Sequence, residues 1–153
     1  MKNYEIDYKN ITVAQIFGTP ENTINIPAGV DFESHGLDLE LKVKGIDNSK
    51  IGILPEVGTI EVSVEDARIC IKDVTFEKLE IDAKGMITVC IENSRGDIDI
   101  NMIGGQATVV LITDADYKYR VEGNNKVIGN IDGENGTYTL EANGKNCTVV
   151  VFK

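Results

Sequence analysis

Four carboxylates recur along the chain at nearly even intervals: Glu40, Glu61, Glu80 and Asp99. Acids brought into line can coordinate a hard cation, attract a basic partner or, as a pair, hydrolyse a glycosidic bond. Each lies between apolar neighbours, as in Leu39-Glu40-Leu41, Ile60-Glu61-Val62, Leu79-Glu80-Ile81 and Ile98-Asp99-Ile100. In an extended chain such an acid points away from the side its neighbours bury. Asp97-x-Asp99-x-Asn101 imitates the start of a calcium loop, but Met102 stands where glycine is needed and Thr108 where glutamate is needed. It fails as an EF-hand, and on a strand its three polar side chains share the outer face while Ile98, Ile100 and Met102 turn inward.

Other chemistry is sparse. The single histidine, His35, follows Ser34 at an expected turn with no hydrolase motif around it. A nucleophile elbow, a P-loop, an H-E-x-x-H helix and a dinucleotide fingerprint are all missing. Gly129, Gly133 and Gly136 are spaced unlike a phosphate cradle and read as loop punctuation. The cysteines, Cys70, Cys90 and Cys147, are odd in number and hold no C-x-x-C pair, so neither a disulfide framework nor a zinc knuckle is expected. Cys70 and Cys90 are flanked by inward Ile or Val and are expected to be neighbouring free thiols on adjacent strands. No catalytic residue, cofactor or enzymatic activity is expected.

The elements that must position these residues are strands. Apolar residues alternate with polar ones in Leu37 to Lys44, Ile60 to Val64, Leu79 to Ala83 and Ile98 to Met102, whereas helical spacing hardly occurs. The steps Leu39 to Ile60, Ile60 to Leu79 and Leu79 to Ile98 are 21, 19 and 19 residues. A second series, Ile51, Ile69, Ile87 and Ala107, advances by 18, 18 and 20. Two interleaved series with a period near twenty predict stacked repeats, each coil holding two short strands that pair in parallel with their equivalents. Gly58, Gly85, Gly96 and Gly104-Gly105 precede strands and are expected at corners.

The fold class expected is therefore all-β: a single-stranded parallel β-solenoid of about four to six short coils, with an antiparallel β-sandwich as the alternative. Residues 1–153 form one domain, with cap strands over 1–35, repeats over 36–121 and a β-hairpin cap over 122–153 turning at Asn143-Gly144. In that arrangement Glu40, Glu61, Glu80 and Asp99 make one outward column, with Lys42, Lys78 and Lys84 nearby to relieve repulsion. Glu61, Glu80 and Asp99 are weak candidate ligands for a calcium-like cation.

Fifteen Lys and Arg against 25 Asp and Glu leave a net charge of -10 on 153 residues, which repels nucleic acid and anionic lipid. No apolar run reaches the eighteen or so residues that span a bilayer, and none looks like an export signal, so the chain taken alone reads as cytoplasmic.

The rungs Gly58 to Val62, Gly85 to Val89 and Gly96 to Ile100, the stretch Tyr117-Lys118-Tyr119-Arg120-Val121, and the closing Gly144-Lys145-Asn146-Cys147-Thr148-Val149-Val150-Val151 resemble the bacterial putative-adhesin domains of unknown function over residues 36–153. The resemblance implies a right-handed β-solenoid, usually attached to the cell envelope, with no established catalytic residues. The function expected is a non-enzymatic structural or interaction module whose charged face, centred on Glu40, Glu61, Glu80 and Asp99, meets a protein or glycan partner. A carbohydrate-active β-helix enzyme and a weak calcium-binding surface are the alternatives. Imperfectly capped sheet edges leave room for homo-oligomers.

Overall fold

The computed structural model describes residues 1–121, 126–129, 136–144 and 146–152, and every regular element among them is a β-strand. Gly133 and Lys145 lie outside the described residues. One eight-stranded sheet runs in the order β12 (Tyr117–Val121), β14 (Tyr138–Asn143), β10 (Arg95–Met102), β8 (Thr75–Lys84), β6 (Glu56–Glu65), β1 (Asn3–Lys9), β4 (Asp38–Lys44), β3 (Asp31–His35). A seven-stranded sheet runs β13 (Lys126–Gly129), β15 (Cys147–Phe152), β11 (Gln106–Ile112), β9 (Met86–Glu92), β7 (Arg68–Lys72), β2 (Val13–Gly18), β5 (Ser49–Ile53). From β4 onward, consecutive strands alternate between the sheets. The named strands pair in parallel except for β3, which runs antiparallel to β4. That pairing does not fit the antiparallel sandwich.

Alternation accounts for the core. Leu41, Ile6, Val62, Ile81 and Ile100 stand in register across the larger sheet, and Ile51, Ile16, Ile71, Ile91 and Leu111 across the smaller. All ten are buried, so the inner faces of both sheets make one aliphatic interior. At corners between sheets the backbone adopts positive φ at Asn10, Asn48, Asp66, Asp73 and Asn93. Asn and Asp tolerate that region better than other side chains and supply local hydrogen bonds there. Asn93 Nδ2 donates to Asp73 Oδ1 at 2.7 Å, and Asp66 Oδ1 accepts from the Met86 amide at 2.9 Å, tying corners one level apart.

The structure corrects several sequence expectations. The first two strands are not a terminal cap: β1 pairs with both β4 and β6, and β2 with both β5 and β7. Both carry the alternation of interior strands, in Tyr4, Ile6 and Tyr8 and in Ala14 and Ile16, all buried, and so need neighbours on either side. The end of the stack is covered instead by Ile24, Ile26 and Ile46, which pack on the core, by buried Val30 and by the edge strand β3.

The second series is also re-registered. Ile69 pairs with Val89, and Ile71 with Ile91, so the step there is two residues longer than the Ile69 to Ile87 alignment. Nor is the C-terminus a hairpin, because β14 and β15 belong to different sheets and Asn143-Gly144 lies at the corner between them. Leu140 and Ala142 on β14 and Cys147 on β15 are buried, so each strand extends the core in its own sheet rather than folding back on the other. Gly58 and Gly96 lie inside β6 and β10 instead of at corners.

Candidate functional site

The outer face of the larger sheet gathers the acids. Parallel register places Glu40 beside Glu5, Glu5 beside Glu61, Glu61 beside Glu80, Glu80 beside Asp99 and Asp99 beside Glu141. The antiparallel edge adds Glu33 opposite Glu40, and Arg120 faces Glu141 at the far end, 3.5 Å away. All four acids singled out from sequence therefore share one column, but Glu40 reaches Glu61 only through Glu5. Glu5, Glu33 and Glu141 complete a file of seven carboxylates. Lys78 leans into it, its Nζ 3.8 Å from Asp99 Oδ2. Lys42 and Lys84 instead stand in register with Asp7 and Glu65, beside the file.

Neighbouring strands lie about 4.8 Å apart, where two unit charges repel by roughly 1 kcal/mol in water and more when partly desolvated. The ionisation equilibria respond to this. Burial raises the Glu61 carboxyl above its ordinary value, with the charges of Glu80, Glu5 and Asp82 adding to it. Burial also raises Asp99; the ammonium of Lys78 opposes it, while Glu141 and Asp82 reinforce it. Asp99 Oδ1 is buried and has no hydrogen-bond partner among the described residues. The next outward column relieves some of its charge by hydrogen bonding: Asn143 Nδ2 donates to Asn101 Oδ1 at 3.2 Å, and Asn101 Nδ2 to Asp82 Oδ1 at 3.1 Å. At the β4 end an open depression of about 270 Å³ is lined by Asn3, Asp38, Thr59, Glu5, Glu40 and Glu61, among others.

These shifts carry a sign. Glu61 and Asp99 bind a proton more tightly folded than unfolded, so each adds stability below its unfolded value, 4.5 and 3.8, and loses it as pH rises through the higher folded value. Asp47 works the other way. Its carboxylate accepts from the Thr12 hydroxyl and amide and from the amides of Val13 and Asn48, which holds it far below 3.8. Its contribution is present above 3.8 and lost as pH falls through the folded value. Thermal melts are expected to rise from pH 7 to a maximum near about pH 4 to 5 and then fall, with the rise flattened in Glu61→Gln. A melting point that drops steadily between pH 7 and 5 would contradict this account.

The smaller sheet brings Cys70 and Cys90 directly opposite one another as free thiols, as their spacing predicts. Burial, then the hydrogen bond and charge of Cys70, push the Cys90 thiol up to about 11. Cys90 is therefore a poor nucleophile near neutrality. His35, expected at a turn, lies instead on β3 with Nε2 3.3 Å from Glu33 Oε2.

No protein-family model matches the chain, and no curated protein matches it. A solved structure does: that of a putative cell adhesion protein from Clostridium sporogenes, with TM-score 0.59 and 16% identity over 99% of this chain and 93% of that one. The likeness is one of fold, an all-β architecture of two mainly parallel sheets over a shared core. No helix among the described residues is long and apolar enough to cross a membrane.

Proposed function

We propose that the chain is a non-enzymatic, adhesin-like interaction module, a single-stranded β-solenoid whose acidic face captures a partner carrying spaced positive groups. The observation that carries this reading is the unbroken register of Glu40, Glu5, Glu61, Glu80, Asp99 and Glu141 along one parallel sheet. A rigid ladder that repeats one charge every strand suits an extended ligand better than a small one. The fold shared with a protein named for cell adhesion agrees with it, and favours a place at the cell envelope. A glycosidase is disfavoured because, among the described residues, no basic side chain lines the depression beside Glu5, Glu40 and Glu61, and the one aromatic residue there, Tyr4, is buried.

The test is capture of a lysine-rich peptide and of a cationic amino-sugar oligomer on immobilised protein. The triple variant Glu61→Gln, Glu80→Gln, Asp99→Asn is expected to lose at least about tenfold in affinity, equivalent to roughly 1.4 kcal/mol. It should melt no lower than the parent, since repulsion is relieved. Equal capture by parent and variant would remove this face from the function.

A further inference from the structure

We propose that Glu33, His35 and Glu40 form a binding site for a borderline transition-metal cation of the Zn²⁺, Co²⁺ or Ni²⁺ kind at the β3–β4 edge. One ligand atom from each of the three lies within 4.8 Å of the other two. The strand geometry produces this. Glu33 and His35 are two residues apart on β3 and so project from the same face, while Glu40 stands directly across on β4. Three corners of a coordination shell are thus held by two hydrogen-bonded backbones.

A metal with bonds of about 2.0–2.2 Å needs its ligand atoms about 3.3 Å apart in a tetrahedral shell. His35 Nε2 and Glu33 Oε2 are already 3.3 Å apart. Both side chains are well exposed, at 63% and 73%, so rotation alone can bring Glu40 within reach. Asp38, the carboxylate directly opposite His35, is engaged by Asn3 Nδ2 at 3.0 Å. Lys42, on the same outward face, stands opposite Asp31, two residues along the strands from the pair formed by Glu33 and Glu40.

The donor set decides the class of metal. An imidazole nitrogen with two carboxylates suits Zn²⁺, Co²⁺ or Ni²⁺, whereas Ca²⁺ and Mg²⁺ prefer oxygen alone. Glu5 and Glu61, next along the file, add negative potential without being ligands. Three protein ligands leave positions open for water or for a donor from another molecule. The site shares Glu40 with the proposed partner-capture face, but it needs Glu33 and His35 and not Glu80 or Asp99, so the two are tested separately.

The chain has one histidine, which makes His35 its own reporter. Titration of the full chain with Zn²⁺ is expected to shift or broaden the single set of imidazole ring proton signals at one equivalent, while excess Ca²⁺ leaves them in place. Co²⁺ should give a visible absorption band of a nitrogen and oxygen site. His35→Asn and Glu33→Gln are each expected to weaken Zn²⁺ at least tenfold by calorimetry, and Glu80→Gln to leave it unchanged. Signals unmoved by Zn²⁺ would overturn the proposal. So would equal Zn²⁺ binding by His35→Asn and the parent, or a loss in Glu80→Gln as large as in Glu33→Gln, which would mean diffuse attraction to the acidic file. The peptide-capture test of the triple variant is read independently of all three.

Discussion

Ile81→Ala is expected to cost the fold about 2–5 kcal/mol, in the upper half of that range, read as a fall in the urea midpoint at constant slope. Ile81 has no exposed surface and stands between Val62 and Ile100 on the flanking strands. Part of the cost is the lost transfer free energy of the deleted carbons. The rest depends on how far the surroundings collapse into the cavity. Here collapse is limited, because backbone hydrogen bonds hold β6, β8 and β10 at a strand spacing of about 4.8 Å and the side chains above and below are tied to that ladder. Ile112→Ala is the control: its side chain faces out from β11 and is 39% exposed, so its loss is expected within about 0.5 kcal/mol. A loss below about 1 kcal/mol for Ile81→Ala would mean that the interior is loosely packed.

The face on which each residue lies was legible from sequence, and the order of strands was not. Period-two patterning specifies which side chains turn inward, and it survives a slip of two residues. That is why aligning Ile69 with Ile87 instead of Val89 still placed Cys70 and Cys90 together on the outer face. It is also why Glu61, Glu80 and Asp99 fall in one column. Glu5 and Glu141 escaped because their strands enter the stack out of sequence order: β1 lies between β4 and β6, and β14 between β10 and β12. Nothing in Tyr4-Glu5-Ile6 marks which neighbours it will acquire, since its alternation matches that of any interior strand. His35 escaped for the opposite reason. Every residue of β3 is exposed, so Asp31-Phe32-Glu33-Ser34-His35 has no buried face to announce a strand, and the turn itself begins only at Gly36, with φ 62°. A metal-ligand set assembled across an edge pairing is invisible until that pairing is known.

Gly96→Val is expected to destabilise the protein by at least about 3 kcal/mol or to prevent folding, seen as insoluble expression or early loss of the cooperative melt. The cause lies in the repeat itself. Thr75 pairs with Arg95, twenty positions on, but Leu79 pairs with Ile98, only nineteen on, so β10 drops one residue relative to β8 between Arg95 and Asp97. Gly96 absorbs the missing residue with φ 143°, a conformation that side chains with a Cβ rarely adopt. Its backbone also runs against the neighbouring strand: a Cβ built there would lie 2.0 Å from the Phe76 carbonyl oxygen and 2.3 Å from the Phe76 ring. The carbonyl of Gly96 accepts the Tyr117 hydroxyl at 2.8 Å, so the distortion would be passed to a buried tyrosine one level further along. Gly36→Val tests whether positive φ alone is responsible, because Gly36 has φ 62° but nothing within 4 Å of an added Cβ. It is expected to cost only about 1–2 kcal/mol. Equal losses at the two positions would show that backbone strain, and not the close approach at the bulge, makes Gly96 necessary.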